Sequence, residues 1–228
     1  MSDFILPQAS LFLGIIPALI LLYISLKGYE GCYKDKTVFL TFVIGIILGF
    51  IAAFVQSLTI AGVIIYIILL AFFDQLLKTI ILNIGRLQNK RESTIYGLTL
   101  GLGFGSAFTP FLIIAVSSLI TNDVYVLSLL AIGSIGIILF HGATGTYIGY
   151  GIYAGKLIKH LLVAIIIQLP FNLLLGLVII YSKPETLNEQ IGLVSGFLMY
   201  GVVVFWYVIK RTMPLILSQN QKRKRSKK

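Results

Sequence analysis

Cysteine occurs once in the 228 residues, at Cys32, so the chain can form no internal disulfide and no cysteine-based zinc site. Histidine occurs twice, at His141 and His160, and one imidazole in an apolar segment does not define a metal centre, so no metal and no cofactor is expected. Charge is scarce as well: only 11% of residues are Asp, Glu, Lys or Arg, and just eight of them are acidic. Such a composition excludes an ordinary soluble domain. The net charge of +10 does not point to nucleic acid. The Lys and Arg residues lie between apolar segments and in the tail, with no nucleic-acid-binding motif among them. The first apolar segment lacks both a basic leader and a small-x-small cleavage site, so it is not read as a cleaved signal.

What the chain has in abundance is apolar surface, with 58% hydrophobic residues and a mean hydropathy of +0.99. Seven apolar segments can be counted, over residues 9–26, 37–55, 58–82, 95–121, 124–155, 161–181 and 191–209. Each is long enough to cross about 30 Å of hydrocarbon at about 1.5 Å per residue. The expectation is an all-α polytopic membrane bundle of seven transmembrane helices over residues 1–209, followed by a basic tail at 210–228. The fifth segment is too long for one upright helix, and Gly142, Gly145, Gly149, Gly151 and Gly155 suggest a tilt, a kink or an irregular polar centre.

Basic residues set the orientation. Lys27, Lys34 and Lys36 fall in the first connection, Arg86, Lys90 and Arg91 in the third, and Lys156 and Lys159 in the fifth. Gln56-Ser57 and Asn122-Asp123, which join the second to the third segment and the fourth to the fifth, carry no basic residue, and Lys183 in the sixth connection is offset by Glu185 and Glu189. The N-terminus is therefore expected outside and the C-terminus in the cytoplasm. The tail from Gln219 to Lys228 reads as a solvated stop-transfer anchor attracted to anionic lipid, with a docking site for a cytoplasmic partner as the alternative. Trp206 and Tyr207 read as an interfacial aromatic pair, and His160, beside Lys159, as solvated.

From residue 58 to residue 82 the only formal charges are Asp74 and Lys78, four apart and so on one helical face. An acid at membrane depth is costly unless paired or wetted, which makes it a candidate functional group, although such a pair can also serve helix packing alone. Asp74 is expected to pair with Lys78 or to bond His141 or Asn172. Counting along the segments places Asp74, Ser106, Thr109, His141, Gln168 and Asn172 at similar depth, where lipid cannot satisfy them and they must face one another or a cavity. Gly97, Gly101 and Gly105 on the fourth helix, with Gly145 and Gly149 on the fifth, permit close helix approach. Pro110 and Pro170 would each loosen a helix near that level. Ser106 has no nearby base, which argues against serine catalysis.

Taken together, Phe73 through Lys78, the basic loop Arg86 to Arg91, the stretch from Ile95 to Gly105, the stretch from Phe140 to Gly151, and Phe171-Asn172 resemble the PrsW family of intramembrane proteases. That family groups with the CAAX-prenyl endopeptidases and with the multispanning anterior-pharynx-defective subunit of gamma-secretase. The resemblance covers roughly residues 70–175. It implies a glutamate that activates water, assisting histidines, and an asparagine that steadies the oxyanion. The family's paired glutamates and following base fall on Asp74, Gln75 and Lys78, its next-helix Glu or His on Phe108, and its late histidine on Gln168. An acid, Lys78, His141 and Asn172 are retained.

Asp74, His141 and Asn172 are thus the candidate catalytic residues, and Lys78, Gln75, Ser106 and Gln168 the candidate binding residues. The shortened acid and the missing second imidazole suit a degenerate enzyme, a scaffold or subunit whose partners are membrane lipids and transmembrane helices of other proteins. The alternative is a working endopeptidase using Asp74 and His141. A small transporter or channel would be expected to show inverted repeats, which the hydropathy lacks.

Overall fold

A computed structural model of the chain describes residues 5–58, 64–88, 90–116, 124–180 and 187–217. These form helices α1 (Ile5–Leu26), α2 (Asp35–Ser57), α3 (Ile64–Leu82), α4 (Ser93–Val116), α5 (Val124–Tyr153), α6 (Leu157–Ile180) and α7 (Leu187–Thr212), closed by a 3-10 turn at Met213–Ile216. No strand occurs among the described residues. The tail reading and the Asn122-Asp123 and 182–186 connections lie outside them.

Among the described residues, four helices are long and apolar enough to cross a membrane: α2 over Asp35–Gln56, α5 over Ser128–Tyr153, α6 over Leu157–Leu177 and α7 over Glu189–Ile216. The surface fits that environment. On α3 the exposed positions are Ile68, Leu69, Phe72, Leu76 and Ile80, whereas Asp74, Gln75, Lys78 and Thr79 are buried. An apolar rim around a polar interior is the reverse of a soluble helix, and it places greasy side chains where lipid would be.

The centre is α4, buried at every described side chain from Ile95 to Phe108 and packed against α1, α2 and α5. Glycine makes this possible. A Cβ on Gly101 would run into the His141 carbonyl, one on Gly97 into that of Gly145, and one on Gly145 into that of Gly97. The other flank works the same way, since Gly45 and Gly49 of α2 sit on the carbonyls of Leu100 and Phe104. Backbones in such contact gain dispersion and exclude lipid without any side chain between them.

Of the alternatives expected for the fifth segment, the irregular centre is corrected here. Helix α5 is continuous to Tyr153, because Gly145 and Gly149 lie against α4 and Gly142 against Leu102 and Phe205. These contacts hold the helix rather than unwind it. Only Gly155, at φ +65°, acts as a terminator. Its N–H bonds the Ile152 carbonyl at 3.2 Å while Lys156 N–H reaches Gly151 at 2.8 Å, a left-handed C-terminal stop. Helices α4 and α6 run on through Pro110 and Pro170.

His160 also departs from expectation. It is buried rather than solvated, with Nδ1 bonded to the Lys156 carbonyl at 2.8 Å and its ring against Tyr147 and Tyr150. One helical step rotates a residue by about 100°, so an exposed Lys159 says little about its neighbour.

Candidate functional site

The polar face of α3 meets α5 and α6 in one buried network. Lys78 Nζ lies 2.9 Å from His141 Nδ1, donates to Thr144 Oγ1 at 2.9 Å and to Gln75 Oε1 at 3.3 Å. An ammonium has three protons and no acceptor, so these contacts complete it. With Lys78 charged, His141 Nδ1 serves as the acceptor, which assigns the imidazole proton to Nε2.

Gln75 Nε2 donates in turn to Gln168 Oε1, and Gln168 Nε2 donates to Asp74 Oδ2 at 2.6 Å. Two amides therefore join the ammonium to the carboxylate, with every N–H pointing the same way along the chain. Aligned amides polarise one another and strengthen each bond where the dielectric is low. Asp74 Oδ2 also accepts from Gln56 Nε2 at 3.3 Å. Its Oδ1 is buried without a partner among the described residues.

This arrangement corrects the expected partners of Asp74. The carboxylate bonds neither Lys78, His141 nor Asn172; its partners are Gln168 and Gln56. The physical reason is competition: Lys78 is already satisfied by three neutral acceptors, and α6 delivers an amide to Asp74 directly.

His141 is walled by aromatics. Phe108 stacks on it with centroids 5.2 Å apart and planes 19° apart, Phe104 lies at 4.8 Å, and Phe140 and Phe171 meet it edge-on. Lys78 Nζ stands 4.8 Å over the Phe104 ring, a cation–π contact that further fixes the ammonium. Asn172 Nδ2 donates to the Ile67 carbonyl of α3 at 3.2 Å, and its Oδ1 lies 3.5 Å from Gln168 Nε2.

Of the residues singled out in the sequence, Asp74, Gln75, Lys78, His141, Gln168 and Asn172 come together. Ser106 does not join them. It is buried, but its hydroxyl donates to Gly103 O of its own helix at 2.7 Å, and its carbonyl faces Gly14 of α1. The side chain of Thr109 lies outside the described set. Two participants were not foreseen. Thr144 stands one turn beyond His141, a spacing that could have flagged it. Gln56 was placed in a connection, whereas α2 extends to Ser57 and carries Gln56 to Asp74.

Chemically, the network holds one carboxylate, one ammonium and one imidazole, without a carboxylate–imidazole hydrogen bond among the described residues. No group of three or more His, Cys, Asp or Glu that could hold a metal occurs among them. The chain matches no protein-family model, no curated protein and no solved structure.

Proposed function

We propose that the chain is a PrsW-like integral membrane protein of seven spans, N-terminus outside and C-terminus cytoplasmic, whose intramembrane polar site no longer hydrolyses peptides and instead engages transmembrane helices of partner proteins. The observation that carries this reading is the commitment of the would-be catalytic groups to one another. His141 Nδ1 is held by Lys78 and its ring faces Phe104 and Phe108, Asn172 is held by a backbone carbonyl, and Asp74 by two amides. Hydrolysis needs a base within reach of water and donors aimed at a developing oxyanion. Here those donors are occupied, and an aspartate one methylene shorter than glutamate moves the base by about 1 Å, an error that can cost about a hundredfold.

Support for helix binding comes from α3. It meets α2 and α4 only sparsely, presents Ile68, Leu69, Phe72, Leu76 and Ile80 outward, and carries the unmatched Asp74 Oδ1 behind them. A partner helix packed on these side chains would cover the apolar face.

A photo-crosslinking residue at Phe72 or Leu76 tests the proposal in native membranes. Expected is capture of intact transmembrane partners, altered by His141→Ala or Asn172→Ala and absent from a crosslinker at Ile24 on α1. The purified protein should cleave no transmembrane substrate, and neither should Asp74→Glu combined with Gln75→Glu. Specific peptide cleavage abolished by Asp74→Asn would replace this reading with an active endopeptidase.

A further inference from the structure

Away from the intramembrane network, the first and third connections meet at one end of the bundle and form an open, surface-facing hollow of about 400 Å³ lined by Lys34, Lys90, Arg91, Glu92 and Tyr153. The pocket is assembled from three separated stretches. Lys34 stands at the start of α2, Arg91 and Glu92 directly precede α4, and Tyr153 is the last residue of α5. The first connection is tied onto α4 by Lys34 N–H bonding Tyr96 Oη at 3.3 Å. Lys90 is tethered through Nζ to the Arg86 carbonyl at 3.0 Å.

Three exposed basic residues and a single carboxylate line this space. No hydrogen bond or ion pair joins Glu92 to any of them among the described residues, and the Arg91 guanidinium has no partner there. Holding like charges together without compensation is unfavourable, and an anion in the pocket relieves it. The chemistry suits a phosphate: a guanidinium presents a planar fork for two oxygens while the two ammonium groups act as point charges. All five residues lie at or beside helix ends, which in a membrane bundle is the level of lipid headgroups.

We propose that this pocket binds a phosphate group, carried by an anionic phospholipid of the adjoining leaflet or by a soluble phosphate compound. The site is independent of the helix-binding reading above, and neither depends on the other.

The test uses full-length protein in neutral detergent, with phosphatidylglycerol, phosphatidylcholine of the same acyl chains, and inorganic phosphate as probes, read by native mass spectrometry and by the shift in unfolding temperature. Phosphatidylglycerol should bind in preference to phosphatidylcholine. Each cation removed should weaken it about fivefold, the equivalent of about 1 kcal/mol per basic residue at the membrane surface, so Lys34→Gln with Arg91→Gln should lose about 25-fold. A control removing the same charge elsewhere, Lys27→Gln with Lys159→Gln, should retain affinity. If the double variant is poorly folded, the two single variants each read the fivefold step. Competition by inorganic phosphate at the pocket identifies a soluble compound as the source, and its failure to compete identifies the lipid. Unchanged affinity in the pocket variants, or equal loss in the control, would overturn the proposal.

Discussion

Asp74 and Lys78 stand one turn apart on α3 and attract each other directly, yet the hydrogen bonds that join them run through Gln75 and Gln168, in the order Lys78 to Gln75 to Gln168 to Asp74. The two charges are thus linked across α3 and α6 by amides whose donors all run toward the acid. Such a linkage makes the helix pair a single electrostatic unit.

The first expected outcome follows from that linkage. Lys78→Met strands three acceptors, Gln75 Oε1, His141 Nδ1 and Thr144 Oγ1, and should destabilise the bundle by about 3 to 5 kcal/mol, the usual cost of removing one partner from a buried charged network. Asp74→Leu with Lys78→Met should cost less than the sum of the singles, by about 0.5 to 3 kcal/mol. In a Gln75→Leu background that coupling should fall to the part carried by direct attraction between the two charges. Unfolding in mixed micelles measures all four corners, and coupling unaffected by Gln75→Leu would show that the amides do not carry it.

Asn172→Ala should release α3 from α6. The Ile67 carbonyl loses its second donor while keeping its place in the α3 ladder, costing about 0.5 to 1.5 kcal/mol for one hydrogen bond, and amide exchange should rise along α3 around Ile67. Ser106→Ala provides the contrast: its hydroxyl only back-bonds within α4, so stability should change by no more than about 0.5 kcal/mol. Equal effects from the two variants would contradict the assignment.

Gly101→Ala should cost about 1 to 3 kcal/mol by overpacking, because the new methyl meets the His141 carbonyl, which is backbone and cannot turn aside. Gly192→Ala meets nothing within 4 Å and should be neutral or stabilising by up to about 1 kcal/mol. Thermal unfolding of the two single variants separates these outcomes.

Cys32 offers a built-in topological probe, being the single cysteine and partly exposed in the first connection. A membrane-impermeant maleimide should leave it unlabelled in sealed cells and modify it after permeabilisation. Labelling from outside intact cells would invert the proposed orientation.

Much of this was legible in the chain itself, for reasons that also explain what was not. Apolar runs and their breaks reported the helices, and the four-residue spacing of Asp74 and Lys78 reported the polar face of α3. Depth along a helix is countable from sequence, which put Ser106 at the level of Asp74. Azimuth around the bundle is not, and Ser106 faces α1. The glycines of α5 were ambiguous because the same residue that permits unwinding also permits backbone contact, and only the position of α4 decides between them. Gln56 was hidden because helix ends are the least certain part of any sequence reading. The amide bridge was hidden because two helices distant in sequence supply it.

The two charges at the centre of α3 bear on how the protein is made. Aspartate and lysine at mid-helix each cost about 2.5 to 3.5 kcal/mol on the insertion scale, while Leu, Ile and Phe return only about 0.3 to 0.6 each. The thirteen such apolar residues of α3 roughly cancel that cost and leave little over. Helix α3 is therefore a weak signal to the insertion machinery, a segment with no strong preference for bilayer over water. On the proposed seven-span reading, a place in the membrane for α3 would depend on α5 and α6, which lie later in the chain and bring Thr144, His141, Gln168 and Asn172. Biogenesis would then run against the order of synthesis, with the third helix settling only after the sixth has arrived.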